Sequence, residues 1–161
     1  MDIGHFYFLS NSYFIDFPDP QLMRNKEDID GQPHGRPCFY ALQDTSTGLF
    51  WMIPCSSHIE KYQEVYLRKM FKYRRCDTIA FGEVLGHQTA FLIQNMCPVS
   101  QKYVSNEYMD QQSGLPVKIS GITEEDLLQK AQKVLLLTRK GIRLIFPDVL
   151  AIEAALLAKA P

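Results

Sequence analysis

Residues 35–62 of the chain read GRPCFYALQDTSTGLFWMIPCSSHIEKY. Two apolar runs in this stretch, Cys38 to Gln43 and Leu49 to Ile53, flank the sequence Asp-Thr-Ser-Thr-Gly at 44–48. A short polar turn that ends in glycine between two β-forming runs is typical of a β-hairpin. The stretch therefore predicts a two-stranded hairpin, followed after Pro54 by a polar segment.

The hairpin is followed by a predicted helix that begins at Ser57. Aromatic or apolar side chains recur along it at helical spacing, at Tyr62, Tyr66, Met70 and Tyr73. A second set of positions, which falls within a narrow arc of the same helix, is entirely basic: Lys61, Arg68, Lys72 and Arg75. Because residues three, four or seven apart share one helix face, the pattern predicts a buried aromatic stripe with a basic stripe beside it.

The rest of the chain predicts short strands joined by tight turns, with helices inserted and appended. Strands are predicted at residues 5–9, 78–85 and 88–94, weaker strands at 104 and 115–119, and helices at 123–140 and 148–159. The polar, acidic stretch 18–35 is predicted to be a loop that covers a site as a flap. The order of elements is neither βαβ nor all-β, so we expect a single α+β domain spanning residues 1–161, built on a small antiparallel barrel.

Charge is distributed unevenly along a chain whose formal net charge is −1. Residues 1–35 hold six acidic residues against two basic ones, whereas residues 57–75 hold six basic residues against two acidic ones. A chain without an overall positive charge must bind any nucleic acid through a local patch rather than by global attraction. The segregation therefore indicates that residues 57–75 contact an anionic partner.

The cysteines and the hydropathy pattern indicate in which compartment the protein works and whether it needs a metal. Four cysteines, Cys38, Cys55, Cys76 and Cys97, are too far apart for a Cys-x-x-Cys metal pair, and no secretory leader opens the sequence. They are predicted to be reduced and mostly buried. No apolar run approaches the ~20 residues that a membrane span needs. A soluble, cytoplasmic protein without a metal or cofactor is expected.

Motifs in and after the hairpin resemble those of a known toxin family. Gly35-Arg36-Pro37, followed after the hairpin by Pro54-Cys-Ser-Ser-His-Ile59, resembles the Arg-Pro and Pro-x-Thr/Ser-Ser-x-Val signatures of MazF/Kid-type toxin ribonucleases. The helix after the serine pair and the segment FLIQNMCPV at 91–99 are similar, more narrowly, to type III toxin–antitoxin toxins of the ToxN/AbiQ family, especially CptN-like ones. The resemblance covers most of residues 5–100.

That resemblance implies a fold, an activity and partners. The implied fold is an SH3-like β-barrel of the MazF/Kid/CcdB type decorated by helices, and the implied enzyme is a metal-independent bacterial endoribonuclease. In this chemistry the 2′-hydroxyl of the RNA is the nucleophile and the products carry 2′,3′-cyclic phosphate and 5′-hydroxyl ends, so the protein supplies a base, an acid and positive charge. The implied partners are substrate mRNA and a small structured antitoxin RNA, a pseudoknot, in a multi-subunit protein–RNA assembly that acts in phage defence.

The resemblance also implies catalytic roles. Arg36 matches the arginine of the Arg-Pro motif, Ser56 matches the Thr/Ser that contacts the scissile phosphate, and Ser57 matches the second serine. His58 stands where ToxN-like relatives often have a lysine, and a histidine there can transfer protons near neutral pH. Lys61, one helical turn further, is the candidate charge on the phosphorane.

A second group of residues is predicted to contact RNA without taking part in the chemistry. These residues are Arg68, Lys69, Lys72, Arg75 and His34. A basic helix face is by default a solvated one, but this face directly follows the candidate site in a slightly acidic chain. We therefore interpret it as a track for RNA phosphates.

Each candidate residue also fits a simpler structural role. Arg36 can tether the acidic loop through an exposed ion pair, and the two serines can cap the following helix. His58 fits a surface residue about as well as a catalyst, and His34 is more typical of a solvated loop histidine than of a catalytic one. Cys55 as a thiol nucleophile is disfavoured, because its adjacency to His58 at a strand end is weak support.

Other functions remain open from the sequence. The first is a MazF/Kid-type mRNA interferase with a protein antitoxin. The second is a non-catalytic RNA-binding barrel adaptor whose basic helix binds RNA or an acidic protein. A metal- or thiol-dependent hydrolase is disfavoured because the sequence contains no clustered ligands.

Overall fold

The structure, a computed structural model, describes residues 1–29 and 32–159, with all of their side chains except those of residues 27–29 and 32–34. Within these residues the strands are β1 (Phe6–Leu9), β2 (Lys26–Ile29), β3 (Gln32–His34), β4 (Pro37–Gln43), β5 (Phe50–Ser56), β6 (Ala80–Val84), β7 (His87–Phe91), β8 (Cys97–Val99) and β9 (Val104–Glu107). The α-helices are α1 (Asn11–Asp16), α2 (Ile59–Tyr73), α3 (Gly121–Arg139) and α4 (Val149–Ala158).

Seven strands form one antiparallel sheet. Their order is β6-β7-β5-β4-β1-β9, with β8 attached to β5, and β2 and β3 form a separate two-stranded sheet. Strands β6 and β9 are the two edges, and they do not pair with each other in the described part of the chain. The predicted combination of an antiparallel sheet with helices is confirmed. The SH3-like barrel is not confirmed, because the sheet is not closed.

Strand β5 is the centre of this sheet. It pairs with β4 along one side, and along its other side Phe50–Met52 pair with β8 while Cys55 and Ser56 pair with β7. Pro54 lies at the change of partner, where a residue without an N–H is tolerated. Its carbonyl accepts a hydrogen bond from the backbone N–H of Leu92 at 3.0 Å. The last two residues of β5 therefore pair with β7 instead of β8, and the strand ends at Ser56.

Both faces of β4 and β5 are buried, which explains their nearly unbroken apolar sequences. Neighbouring residues of a strand point to opposite faces. On one face, Trp51 and Ile53 join a core cluster covered by α3. On the other face, Tyr40 and Met52 join a cluster covered by α1 and α4.

Helix α2 packs on the β6–β7 hairpin rather than on the centre of the sheet. Its inward side chains Tyr62, Tyr66 and Met70 contact a cluster that contains Ile79 and Leu92. The predicted aromatic stripe is confirmed for these three positions. Tyr73, at the last residue of the helix, is 58% exposed.

The junction between β5 and α2 differs from the prediction. The strand runs to Ser56 instead of ending at Ile53, and the helix begins at Ile59 with His58 as its N-cap instead of beginning at Ser57. Pairing of Ser56 with Ala90 of β7 extends the strand, so the helix starts later. Ser56 is thus a strand residue, and Ser57 lies in the turn.

Two other predicted segments are corrected. The stretch 18–35 is not a continuous loop, because β2 and β3 lie within it and pair Lys26 with His34. The part of the predicted flap at Asp30 and Gly31 lies outside the described residues. The strand predicted at 115–119 is replaced by an isolated bridge between Met109 and Pro116, since a proline cannot donate to a ladder.

Helix α3 shows which residues set its ends. It begins earlier than predicted, because Ser120 is its N-cap and accepts the backbone N–H of Thr123 at 3.3 Å. The predicted stop at Gly141 is confirmed: this residue has φ +90°, and its N–H donates to the carbonyl of Thr138 at 3.0 Å. None of the helices in the described ranges is long and apolar enough to cross a membrane.

Candidate functional site

The end of β5 opens into a cleft. The cleft has a volume of about 790 Å³ and is bordered by β5, the β6–β7 hairpin, the loop after β9 and β2. Its polar or ionisable lining residues include Lys26, Ser56, Ser57, His87, Thr89 and Tyr108. We call it the β5 cleft. It contains the serine pair that the sequence singled out.

Ser56 is buried and held in place by the backbone. Its Oγ accepts the N–H of His58 at 3.2 Å, which forms the tight turn between β5 and α2. A hydroxyl that accepts in this way keeps its own proton for a second partner. Ser57 is exposed. The pair therefore presents two hydroxyls, one fixed and one open to solvent.

The first turn of α2 adds backbone donors next to the serine pair. The side chain of His58 makes no capping hydrogen bond within the described residues. The first N–H groups of a helix have no partner inside the helix and favour anions, because the helix dipole is positive at that end. The turn around Ser57 is therefore suited to a phosphate.

Arg36 connects the segment before β4 to the end of β5. Its Nη1 donates to the carbonyl of Cys55 at 2.8 Å, and its Nε donates to the carbonyl of Arg24 at 3.1 Å. Its backbone N–H donates to Oδ1 of Asn25 at 3.1 Å. Arg36 is thus a tether, but to backbone carbonyls rather than to the acidic side chain that the simpler interpretation of the sequence proposed. A guanidinium has five N–H donors, so these contacts leave others for an anion.

Gly35 lets Arg36 reach this position. A Cβ at Gly35 would lie 2.6 Å from a ring carbon of Phe8. The absence of a side chain allows the backbone to lie directly against the aromatic ring. The glycine of the Gly-Arg-Pro sequence is therefore explained by its close contact with Phe8.

The β6–β7 hairpin brings His87 to the cleft. Its turn is Leu85-Gly86, with φ of +49° and +77°, and Val84 pairs with His87. Two consecutive positive φ values are characteristic of the turn that matches the twist of a two-residue hairpin. The prediction placed the turn one residue later, at Gly86-His87. His87 is instead the first residue of β7 and lies on the same strand face as Thr89.

The loop after β9 also lines the cleft. Asp110 accepts hydrogen bonds from the N–H of Gln112 at 3.0 Å and from Oγ of Ser113 at 2.7 Å. The Ser113 bond, followed by that of Gln112, lowers the pKa of Asp110. Tyr108 packs edge-on against Phe8, with ring centroids 5.3 Å apart. This part of the lining therefore provides a carboxylate that is already hydrogen-bonded within its own loop, together with an aromatic surface.

His58 and Lys61 do not line the cleft. His58 is exposed at the start of α2, where its backbone rather than its ring contacts Ser56. Lys61 is exposed, with its Nζ 5.4 Å from the ring centroid of Tyr62. The structure thus brings Ser56 and Ser57 together in the cleft and leaves His58 and Lys61 on the adjacent helix.

The basic residues of α2 have varied surroundings. Arg68 pairs with Glu64 at 3.0 Å on an exposed surface, and Lys72 lies 5.0 Å from the ring centroid of Tyr73. Lys69 is half-buried, and its Nζ donates to Oγ1 of Thr78 at 2.7 Å. Burial lowers the pKa of this ammonium group.

Arg75 and His34 lie outside α2. Arg75 follows the end of the helix and lies 3.9 Å from a carboxylate oxygen of Asp77. His34 belongs to β3, and its side chain lies outside the described side chains. Of the predicted stripe, Lys61, Arg68 and Lys72 therefore lie on the helix itself.

The surroundings of the cysteines decide whether one of them can act as a nucleophile. All four cysteines are buried and unpaired, as predicted. Burial raises the pKa of the Cys55 thiol to about 12, so it is protonated at neutral pH and unsuited as a nucleophile. In the described part of the chain, no group of three His, Cys, Asp or Glu residues is arranged to hold a metal ion.

Sequence reasoning missed the residues that reach the cleft from elsewhere in the chain. His87 was interpreted as a turn residue, Lys26 as part of the acidic loop, and Tyr108 was not assigned. The alternation of His87, Thr89 and Phe91 along one strand face was a usable signal. This face reaches the cleft because β7 pairs with β5. A single sequence does not reveal that pairing.

Comparisons with known proteins give a match in fold. No family model and no curated protein matches the sequence. Among solved structures, that of AbiQ, a lactococcal anti-phage endoribonuclease belonging to the type III toxin–antitoxin system, covers 97% of this chain and 98% of its own, with a TM-score of 0.64 and 14% sequence identity. The resemblance to the type III toxins is confirmed at the level of structure. The chain has the fold of AbiQ along nearly its whole length.

Proposed function

We propose that this protein is an endoribonuclease toxin of a type III toxin–antitoxin system. It cleaves single-stranded RNA without a metal ion and is inhibited by a small structured RNA, with which it assembles into a multi-subunit complex. The observation that carries the proposal is that a chain with the fold of an endoribonuclease toxin opens a serine pair into a cleft. The protein acts in the cytoplasm.

The reaction transfers the phosphoryl group within the RNA. The 2′-oxygen forms a bond to the scissile phosphorus as it loses its proton to a base, and the bond from phosphorus to the 5′-oxygen breaks as that oxygen gains a proton from an acid. The products carry a 2′,3′-cyclic phosphate and a 5′-hydroxyl. Catalysis requires donors and positive charge on the phosphorane oxygens together with two proton-transfer groups.

The serine pair and Arg36 bind the scissile phosphate. Ser56 keeps a hydroxyl proton to donate because its Oγ already accepts the N–H of His58. Ser57 donates from the open side of the cleft. Arg36 fixes the end of β5 through the carbonyl of Cys55 and adds positive charge beside the phosphate.

His87 transfers a proton in this scheme. Among the side chains that the structure describes, His87 supplies the imidazole that lines the cleft together with both serines. A histidine changes charge near neutral pH and so serves as acid or base. We assign it this role ahead of His58, and we assign to Lys26, which also lines the cleft, the positive charge that the sequence suggested for Lys61.

Cleavage assays on serine variants test the enzymatic part of the proposal. Wild-type protein is incubated with a fluorescent single-stranded RNA, and Ser57→Ala is expected to slow cleavage by about 10²-fold, the usual cost of losing one donor to a developing anion. Ser12→Ala, which removes a hydroxyl from the exposed residue Ser12 on α1, is the matched control and is expected to cleave normally. Equal rates for both variants would contradict the assignment.

Co-expression tests the antitoxin part. The protein is expressed with the DNA directly upstream of its gene, purified, and examined for bound nucleic acid and for mass. We expect a discrete RNA encoded by upstream tandem repeats and a complex that contains several protein chains. A small protein partner in place of RNA would instead favour a MazF/Kid-type arrangement.

The outer face of α2 favours a second candidate, RNA binding without catalysis. Leu67 is 65% exposed and Phe71 is 89% exposed on this face, next to the exposed side chains of Arg68 and Lys72. Exposed apolar groups beside positive charge suit binding to RNA or to an acidic protein. In that case, reversing the charges of Lys72 and Arg75 abolishes binding, whereas Arg36→Ala and Ser56→Ala have no effect on function.

A further inference from the structure

A second cavity lies at the other end of α2. It has a volume of about 440 Å³ and is formed by the last turn of α2, the segment that follows it, the end of α3 and residues 143–146. Its charged and aromatic lining residues are Lys69, Tyr73, Arg75, Asp77, Arg143 and Phe146. We call it the α2–α3 pocket. No lining residue is shared with the β5 cleft.

Positive charge prevails in this pocket. Its carboxylate, Asp77, already pairs with Lys133 at 2.6 Å and lies 3.9 Å from Arg75. Arg143 contacts the carbonyl of Phe146 at 3.4 Å, and it pairs with no carboxylate among the described side chains. The charge of Arg143 is therefore available to an anion that enters from solvent.

Two aromatic side chains flank the same space. Tyr73 is 58% exposed and Phe146 is 42% exposed. The Nζ of Lys69 lies 5.8 Å from the ring centroid of Phe146, and Leu137 and Leu144 also line the pocket. The pocket thus combines aromatic and apolar surface with guanidinium groups. Its size falls within the range of small-molecule sites, roughly 300–1,000 Å³.

We propose that the α2–α3 pocket binds one nucleoside monophosphate unit. The base stacks on Tyr73 or Phe146, and the phosphate binds Arg75 and Arg143. Stacking of bases on exposed rings does not depend on sequence, and a guanidinium suits phosphate geometry because it donates two parallel hydrogen bonds. The pocket takes no part in cleavage. The unit comes either from a free nucleotide or from a nucleotide of an RNA chain.

Calorimetric titration of the full-length protein with adenosine 5′-monophosphate tests the proposal. We expect binding of this nucleotide and much weaker binding of adenosine alone or of inorganic phosphate alone. Arg143→Gln is expected to weaken nucleotide binding by about tenfold or more, the usual effect of losing a charge-assisted hydrogen bond. Phe146→Ala is expected to weaken it as well, with thermal melting as a check on folding.

Matched controls separate the pocket from its surroundings. Lys140→Gln removes an exposed charge just after α3, and Ile122→Ala removes an exposed apolar side chain from α3; neither residue lines the pocket, and both variants are expected to bind normally. Absence of nucleotide binding to the wild type, or equal loss in the control variants, would overturn the proposal.

Two further arms identify the source of the nucleotide and keep this proposal apart from the proposed function. A 2′-O-methyl oligoribonucleotide, which cannot undergo 2′-hydroxyl attack, displaces the monophosphate if the pocket receives an RNA chain, and fails to displace it if the pocket receives a free nucleotide. Ser57→Ala is expected to bind the monophosphate normally. Loss of binding in Ser57→Ala would place the nucleotide in the β5 cleft and refute the second pocket.

Discussion

The guanidinium of Arg36 donates to the backbone carbonyl of Cys55 at 2.8 Å, directly before the serine pair. The same side chain reaches the carbonyl of Arg24 at 3.1 Å. One side chain therefore joins the segment before β2, the start of β4 and the end of β5. The position of Ser56 and Ser57 depends on this connection, so a change at Arg36 affects both structure and chemistry.

Arg36→Ala is expected to destabilise the fold by about 1–3 kcal/mol, because two carbonyls lose a charged donor. It is also expected to abolish most RNA cleavage. Arg36→Lys keeps the charge but cannot reproduce two separate hydrogen bonds from a planar group, so it restores little activity. Urea unfolding and cleavage assays measure the two effects.

Arg24→Ala is the matched control for Arg36. Only the backbone carbonyl of Arg24 accepts from Arg36, and its own side chain is exposed. We expect a change in stability within about 0.5 kcal/mol. A loss as large as that of Arg36→Ala would show that charge in this region, rather than the tether, determines stability.

His87 and His58 are distinguished by the dependence of cleavage on pH. If His87 transfers a proton, His87→Gln lowers the rate by about 10²–10⁴-fold and removes one limb of the pH–rate profile. His58→Gln is expected to keep the shape of the profile. The opposite pattern, with the limb lost in His58→Gln alone, would return the proton-transfer role to the start of α2.

Leu85 carries backbone strain at the rim of the cleft. It has φ +49°, a conformation that costs a leucine about 1 kcal/mol or more, and its side chain is 44% exposed. Leu85→Asn is expected to raise the free energy of unfolding by about 0.5–1 kcal/mol, because asparagine tolerates this conformation. Chemical denaturation measures the gain.

Leu115→Asn tests whether the gain comes from the backbone conformation. Leu115 is also exposed, at 64%, but its φ is not positive. No gain in stability is expected from this variant. Equal gains at both positions would show that removal of exposed apolar surface, rather than relief of strain, is the cause.

The lowered pKa of Asp44 makes the stability of the folded protein depend on pH in the acidic range. Hydrogen bonds from Ser46 and then from Arg139 lower the pKa of Asp44 to about 2 in the folded state, whereas an unfolded aspartate has a pKa of ~3.9. A lowered folded pKa means that the contribution is complete above the unfolded value and is lost as the pH falls from about 4 to about 2. The difference in stability between wild type and Asp44→Asn should therefore shrink across that interval. A constant difference would contradict the assignment.

The sequence predicts the hairpin β4–β5 because aromatic and other apolar residues fill both strands around a glycine-ended turn. It does not predict that β5 continues through Pro54, since proline normally argues against a central strand. The continuation depends on the exchange of β8 for β7 along one side of β5. That exchange depends on how distant strands meet in the fold, so the local sequence does not predict it.

The separate hairpin β2–β3 was missed for a different reason. The sequence around β2 and β3 is acidic and contains few β-formers, so local composition favoured a loop. The serine pair and Arg36 were found because they are close to one hairpin in the sequence. The sequence did not reveal the other cleft residues, Lys26, His87 and Tyr108, because pairings between strands distant in sequence bring them to the cleft.

Analysis of the RNA ends formed in the presence of EDTA tests the central proposal most directly. The protein is incubated with single-stranded RNA in excess chelator, and the termini are identified by mass spectrometry. The proposal predicts cleavage with 2′,3′-cyclic phosphate and 5′-hydroxyl ends, greatly slowed in Ser57→Ala. Absence of cleavage in EDTA, or products with 5′-phosphate ends, would contradict it.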